Sequence, residues 1–243
     1  MEVNILFLIV LFVVAFMYSS VGHGGASGYL ALMALFGIST MYMKSSALIL
    51  NVFVSAVSFY AFYKGGYFKI KILLPFVIGS LPMAFLGARM NIEPLLFKYI
   101  LGGFLVIAVT RMLYSPKTEH KEIIPFNIII AFCIGALLGF FSGLIGIGGG
   151  IILSPILLLL GWANMKETAA ISASFILLNS VSGIAGLISS GISISPQLLY
   201  WVIIAFFGGL LGAYIGSVKV SFVRLRYVLA FVLLLASIKL ILV

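Results

Sequence analysis

Two glycine-rich stretches carry the residues best suited to binding a ligand in this 243-residue chain. Gly22-His23-Gly24-Gly25 lies near the start, and Gly146-Ile147-Gly148-Gly149-Gly150 lies 124 residues further on. Each stretch interrupts a long apolar run, which then resumes as a short apolar segment. Where a helix begins after such a loop, its first N–H groups have no intrahelical partner, and the helix dipole places about half a positive charge there. Such a terminus binds an anion without any charged side chain.

The candidate binding residues are those that form the two predicted helix starts. They are Gly24, Gly25, Ala26 and Ser27 in the first half and Gly148, Gly149, Gly150 and Ile151 in the second half. The alternative role for glycine in apolar helices is close helix packing, to which we assign Gly102-Gly103 and Gly208-Gly209. A nucleotide-binding loop is not indicated, because no Lys-Ser/Thr pair follows the glycines.

Three further side chains are candidates for contact with a ligand. Asn51 and Asn179 lie 128 residues apart, each five residues after a serine in an apolar segment. Such an amide either donates to a substrate oxygen or hydrogen-bonds a neighbouring helix, and the sequence favours neither role. His23 is the only side chain in the predicted site of a type that titrates near neutral pH. It either assists anion binding and carries a coupling proton, or it makes a structural hydrogen bond.

Acidic residues are almost absent from the apolar segments. The chain has no aspartate, and its five glutamates all fall at segment ends or in loops. Carboxylate relays for protons or sodium are therefore missing, as is the nucleophile–base or metal constellation of an enzyme. We accordingly predict no catalytic residue, no metal and no cofactor. The single cysteine, Cys133, cannot form an internal disulfide.

The composition indicates one membrane domain. Hydrophobic residues make up 64% of the chain and charged residues 8%, and the mean hydropathy is +1.33. Because a bilayer crossing takes about 20 apolar residues, eight segments are predicted to cross and two shorter ones to be half-helices or re-entrant. The long segments are Val3–Tyr18, Ser45–Tyr63, Ile72–Ala88, Leu95–Leu113, Phe126–Phe141, Ile171–Ile188, Leu198–Val218 and Tyr227–Val243, and the short ones are Ser27–Ile38 and Ile151–Trp162. The net charge of +9 does not indicate nucleic-acid binding, since the basic residues sit at segment ends.

The two halves of the chain predict an inverted repeat. The glycine loops, the two asparagines and the pair Gly87-Ala88 with Gly212-Ala213 recur in the same order at spacings of 124 to 128 residues. Each half holds five hydrophobic segments, an odd number, so the halves should lie in opposite orientations. Basic loops stay cytoplasmic, which places residues 64–71 and 219–226 inside and both termini outside. The predicted fold is an all-α polytopic membrane protein of two inverted repeats, 1–113 and 125–243, joined by a cytoplasmic linker, 114–124.

The second glycine stretch also resembles a known family. Ser142-Gly143-Leu144-Ile145-Gly146-Ile147-Gly148-Gly149-Gly150, followed by Ser154-Pro155 and the segment from Ala170 to Asn179, is similar to the sulfite exporter TauE/SafE family of multi-pass bacterial membrane proteins. The resemblance covers both halves, with Gly22-His23-Gly24-Gly25-Ala26 as a looser copy. It implies transport of small sulfur-containing anions such as sulfite, sulfoacetate or other sulfonates across a bacterial inner membrane. Ile147 stands where the second glycine stretch would match His23, which leaves the coupling residue open.

Taken together, these features predict a transporter of a small oxyanion, which the resemblance makes sulfite or an organosulfonate. Glycine-broken segments in matching halves meet near the midplane in inverted-repeat transporters, which work by alternating access. An anion channel on the same site is the alternative, and a membrane-embedded enzyme is less favoured. The expected partners are the anion and the lipid bilayer; the sequence leaves a homodimer open. Lys44 and Lys166, near helix starts, are expected to reach the membrane interface rather than the ligand.

Overall fold

The computed structural model describes residues 5–113, 125–191, 193–218, 234 and 237–239. The predicted linker 114–124, the basic loop 219–226 and nearly all of the last predicted segment lie outside these residues. The described part is helical, in the order α1 Ile5–Ser20, α2 Ala26–Leu35, α3 Thr40–Lys64, α4 Ile70–Arg89, α5 Pro94–Leu113, α6 Ile128–Ile145, α7 Gly150–Leu159, α8 Met165–Ser190 and α9 Leu198–Val218.

The helix lengths confirm the prediction of an all-α polytopic membrane protein. Helices α3, α4, α6, α8 and α9 are long and apolar enough to cross a membrane, and the described segments also include shorter apolar helices. The half-helices α2 and α7 have ten residues each and follow the two glycine loops, as predicted. Helix α3 begins at Thr40, five residues before the predicted apolar segment, because polar residues in its first turn hide the start from a hydropathy pattern.

Glycines bring helices of the two halves into backbone contact. Helix α4 packs on α6, where Gly135, Gly139 and Gly143 face the backbone carbonyls of Phe76, Ser80 and Ala84. Helix α9 packs on α1 in the same manner, with Gly208, Gly212 and Gly216 facing the carbonyls of Phe12, Phe16 and Ser20. In both pairs the numbers rise together, so the paired helices run parallel. Small residues at four-residue spacing allow this close approach in membranes.

The contacts between α3 and α8 show that the two halves point in opposite directions. Leu48, near the start of α3, lies against Gly183 near the end of α8. Phe62, near the end of α3, packs with Ala169 and Ala170 near the start of α8. The two helices are therefore antiparallel, and each half contributes one helix to the same central pair. This arrangement is the inverted repeat predicted from the odd number of segments; the domain boundaries themselves stay a prediction.

Candidate functional site

The two glycine loops end in helix starts of the same design. Gly25 precedes α2 and Gly149 precedes α7, with φ of 98° and 73° respectively. These values lie in the left-handed region that favours glycine. Neither helix start receives a side-chain cap. The first-turn N–H groups of Ala26, Ser27, Gly150 and Ile151 are therefore able to donate hydrogen bonds to an anion.

Both loops converge on Asn51 of α3. A methyl group added at Gly24 would lie 2.5 Å from Asn51 Oδ1, and one added at Gly148 would lie 2.6 Å from Asn51 Nδ2. The Asn51 carboxamide thus lies between a glycine of the first half and the corresponding glycine of the second. Only glycine leaves room for the amide at these two positions.

The Asn51 side chain is buried without a hydrogen-bond partner in the described part of the chain. Its exposed fraction is 0%, and neither Oδ1 nor Nδ2 has a partner among the described residues. A buried polar group that is left unpaired costs about 1–3 kcal/mol, and native proteins contain few of them. An unpaired amide beside two helix starts therefore has the chemistry of a ligand contact.

Ile176 of α8 occupies the remaining space between the loops. Methyl groups added at Gly24 and Gly148 would lie 2.8 Å and 3.0 Å from Ile176 Cγ2, and one at Gly150 would meet Ile176 Cδ1. The isoleucine is 2% exposed. In this conformation an apolar side chain fills the place where the loops meet, so ligand entry requires that Ile176 or the loops move.

His23 connects the two halves through a chain of hydroxyl groups. Its Nε2 lies 3.0 Å from Ser154 Oγ of α7, which lies 2.7 Å from Ser172 Oγ of α8. Its Nδ1 lies 3.0 Å from the Val21 carbonyl oxygen. Because a carbonyl can only accept, Nδ1 carries a hydrogen, and Nε2 of the neutral ring accepts from Ser154. Protonation of Nε2 would reverse the direction of that hydrogen bond.

The structure does not bring every predicted residue to the meeting point of the loops. Asn179 is buried, and its Nδ2 donates to the Phe175 carbonyl of its own helix at 2.8 Å. No hydrogen bond in the described part joins it to either loop. Ile151 packs against the hydrophobic cluster of α1 and α2, and the Ser27 hydroxyl is 2.7 Å from Tyr18 OH.

Three residues at the site were not predicted from the sequence. Ile176 carries no chemical signal, since an isoleucine in an apolar segment is typical of any membrane helix. Tyr29 places a buried hydroxyl beside Gly25, and this hydroxyl has no partner among the described residues. Ser154 was noted only as part of the family resemblance; a Ser-Pro pair inside a short apolar segment was the available signal.

The fold and this arrangement of half-helices define a multi-pass membrane transporter. A profile of the family described as sulfite exporter TauE/SafE matches residues 6–240, and the chain belongs to this family. It is 35% identical over 236 residues to the probable membrane transporter protein y4hK of Sinorhizobium fredii, covering 96% of each chain.

Two more distant relatives carry similar names. The chain is 28% identical to the probable membrane transporter protein YunE of Bacillus subtilis over 69% of each chain. It is 34% identical to the probable membrane transporter protein MJ0441 of Methanocaldococcus jannaschii over 38% of this chain and 34% of that protein. No solved structure matches the chain significantly.

Proposed function

We propose that this protein transports a small oxyanion, sulfite or an organosulfonate, through a site where the two half-helix starts meet at Asn51, in a bacterial inner membrane. The observation that carries the proposal is the convergence of Gly24 and Gly148 on one buried carboxamide that has no hydrogen-bond partner among the described residues. The family description supplies the sulfur-containing anion.

The electrostatics of the site favour an anion over a cation. No cluster of three or more His, Cys, Asp or Glu residues able to hold a metal occurs among the described residues. Each helix start contributes about half a positive charge. At about 4 Å and an effective dielectric constant of about 20, one such terminus attracts a unit negative charge by about 2 kcal/mol. Two termini together give about 4 kcal/mol, which corresponds to binding near the millimolar range, suitable for a substrate that must also be released.

In the proposed mechanism the anion accepts hydrogen bonds from first-turn N–H groups of α2 and α7. Asn51 Nδ2 donates a further hydrogen bond and orients the anion. The antiparallel pair of α3 and α8 then opens the site to one side of the membrane at a time, with Ile176 closing it when it is empty. His23 and Ser154 join the two halves and offer a route for a coupled proton. The role of Asn179 as a second orienting amide stays a prediction.

Uptake into proteoliposomes tests this proposal. Purified protein should take up radiolabelled sulfite with saturation, and unlabelled sulfoacetate should compete better than chloride. Asn51→Ala should abolish saturable uptake. Equal uptake by Asn51→Ala and the wild type would refute the assignment of the site, and absence of uptake for every sulfur oxyanion would refute the substrate class.

Counterflow distinguishes a carrier from a channel. A carrier loaded with unlabelled substrate on one side takes up labelled substrate faster from the other side, because the loaded form reorients the site. A channel shows no such stimulation. We expect trans-stimulation, since the site as described is closed by Ile176 and requires a conformational change to open.

A further inference from the structure

A cavity with a mixed polar and apolar lining lies at one end of the central helix pair, outside the meeting point of the glycine loops. Its volume is about 240 Å³, and its lining includes Thr40, Lys44, Ser45, Asn91, Leu144 and Ser193. Since water occupies about 30 Å³ per molecule in the liquid, the cavity has room for a small oxyanion with several waters. Thr40, the first residue of α3, lines the cavity. The side chain of the N-cap residue Ser39 does not cap this helix start.

Lys44 gives this cavity a positive charge without a counter-ion among the described residues. Its Nζ donates to the Ala88 carbonyl at 2.7 Å and approaches the Met90 carbonyl at 3.4 Å. An ammonium group has three donors, so one remains for a ligand. The ion pair found in the described part joins Lys69 and Glu167, at the other end of the helix pair. Glu93, on the turn after α4, is exposed and makes no ion pair with Lys44.

The cavity and the proposed central site both lie along α3. Lys44 and Asn51 are seven residues apart, which places them on the same helix face at a rise of about 10.5 Å. The second glycine loop also begins there, since a methyl group added at Gly146 would lie 3.1 Å from the Lys44 carbonyl oxygen. An anion held at Lys44 is therefore two helical turns from the central amide.

The opposite end of the helix pair also carries a lysine, Lys166 near the start of α8, whose Nζ donates to Tyr67 OH at 3.0 Å and to the Ser217 carbonyl at 3.3 Å. Seven residues before Asn179 stands Ser172, whose hydroxyl is linked through Ser154 to His23. Because α3 and α8 are antiparallel, Lys44 and Ser172 lie toward opposite ends of the helix pair. Both ends of the helix pair thus carry a lysine, and the end with Lys166 also has the hydroxyl groups and the imidazole.

We propose that the Lys44 cavity is an outer binding site for an oxyanion, which holds the substrate before or after it occupies the Asn51 site. For the nature of the anion the inference rests on the proposed function. A sulfonate and the phosphate of a lipid headgroup share the chemistry that Lys44 would recognise, and we assign the cavity to the dissolved anion because Lys44 lies together with the polar side chains of Ser45, Asn91 and Ser193 between α3, the turn after α4 and the end of α8, beside apolar residues such as Met90 and Phe97.

A cysteine in the cavity wall reports occupancy directly. Asn91 is exposed and lines the cavity, so Asn91→Cys in a Cys133→Ala background provides a single thiol, the native Cys133 being exposed. The rate of labelling by N-ethylmaleimide is measured on detergent-purified protein with increasing sulfoacetate. At nine times its dissociation constant, sulfoacetate should slow labelling about tenfold by mass action. The matched control is Tyr63→Cys, an exposed position at the opposite end of α3, which should show no protection.

Further variants separate this site from the central one. Added to the Asn91→Cys chain, Lys44→Gln should remove the protection of the introduced thiol, and Lys44→Arg should keep it. Asn51→Ala should leave the protection intact even if it stops transport, so that failure of the central site does not count against the outer one. If sulfoacetate does not protect the thiol in the Asn91→Cys chain with Lys44 intact, the proposal is wrong. This result does not depend on whether a Lys44 variant folds. Protection by added phosphatidylglycerol but not by sulfoacetate would also overturn it, in favour of a lipid site.

Discussion

Gly24→Ala tests the central site with a single methyl group. Asn51 Oδ1 would lie 2.5 Å from the new Cβ, whereas real Cβ atoms essentially never approach a heavy atom within 3.0 Å. The carboxamide must therefore shift by about 0.5 Å or more. Binding residues must be held within about 0.5 Å of their productive positions, so this shift reaches the limit. A misplacement of about 1 Å costs about a hundredfold in function. We expect transport efficiency to fall between about tenfold and a hundredfold, or about 1.4–2.8 kcal/mol.

The same substitution should leave the protein folded. Gly24 does not have a positive φ, so alanine is compatible with the backbone there and gains about 0.4–1 kcal/mol through the unfolded state. Overpacking costs about 1–3 kcal/mol, and the atoms that must move belong to side chains. By contrast, Gly216→Ala would press on the Ser20 backbone carbonyl and should reduce the yield of folded protein.

The assay is initial sulfite uptake as a function of concentration, with thermal unfolding in detergent measured on the same preparations. Gly103→Ala is the matched control, because a methyl group there meets no atom of the described residues within 4 Å, in contrast to the packing role expected from the sequence. The double variant Gly24→Ala/Asn51→Ala should have a melting temperature no lower than that of Asn51→Ala alone, since the stability effects of groups in contact are not additive. Wild-type uptake by Gly24→Ala, or full additivity in the double variant, would refute the reasoning.

Three further predictions follow from the same site. Asn51→Leu should abolish saturable uptake but not lower the melting temperature, because it removes two buried, unpaired polar atoms whose desolvation costs about 1–3 kcal/mol; a large loss of stability would show that the amide is structural. His23→Ala should flatten the pH dependence of uptake and Ser154→Ala should shift it, since their hydrogen bond of 3.0 Å changes direction with the proton; identical profiles for wild type and both variants would remove the pair from coupling. Ile176→Val deletes the methyl group nearest Gly150 and should lower the stability by about 0.5–1.5 kcal/mol. It should raise the uptake of sulfoacetate relative to that of sulfite. An unchanged ratio of the two uptake rates, measured in parallel assays, would show that Ile176 does not line the substrate space.

Much of the fold could be predicted because each signal is local or repeats. Hydropathy locates the membrane segments, and the glycine stretches mark the starts of α2 and α7 because few other residues adopt the conformation that Gly25 and Gly149 require. The inverted orientation followed from the odd number of segments per half. Element starts such as Thr40 were missed, since helix ends at a membrane surface are polar and carry no hydropathy signal.

The site was predicted less completely, because its contacts are between residues far apart in the chain. Asn51 and Asn179 are equivalent in the sequence, but in the structure Asn51 lies between the loops and Asn179 bonds to its own helix. The residue types isoleucine and serine do not by themselves indicate a binding site. Ile176 and Ser154 therefore became candidates only through their distances to the glycine loops and to His23. Lys44 was expected at the membrane interface, but its amine donates to the end of α4 beside a cavity.

The sequence by itself determined the membrane location, the segment pattern, the two glycine-loop helix starts and the absence of carboxylates from the interior of the apolar segments, because these are properties of composition and of local backbone preference. Tertiary structure alone decided that Gly24 and Gly148 share one amide, that Ile176 fills the space between the loops, and that His23, Ser154 and Ser172 are linked across the two halves. Packing decides such features because they depend on how antiparallel helices from opposite halves set their register, and no local stretch of sequence encodes that register.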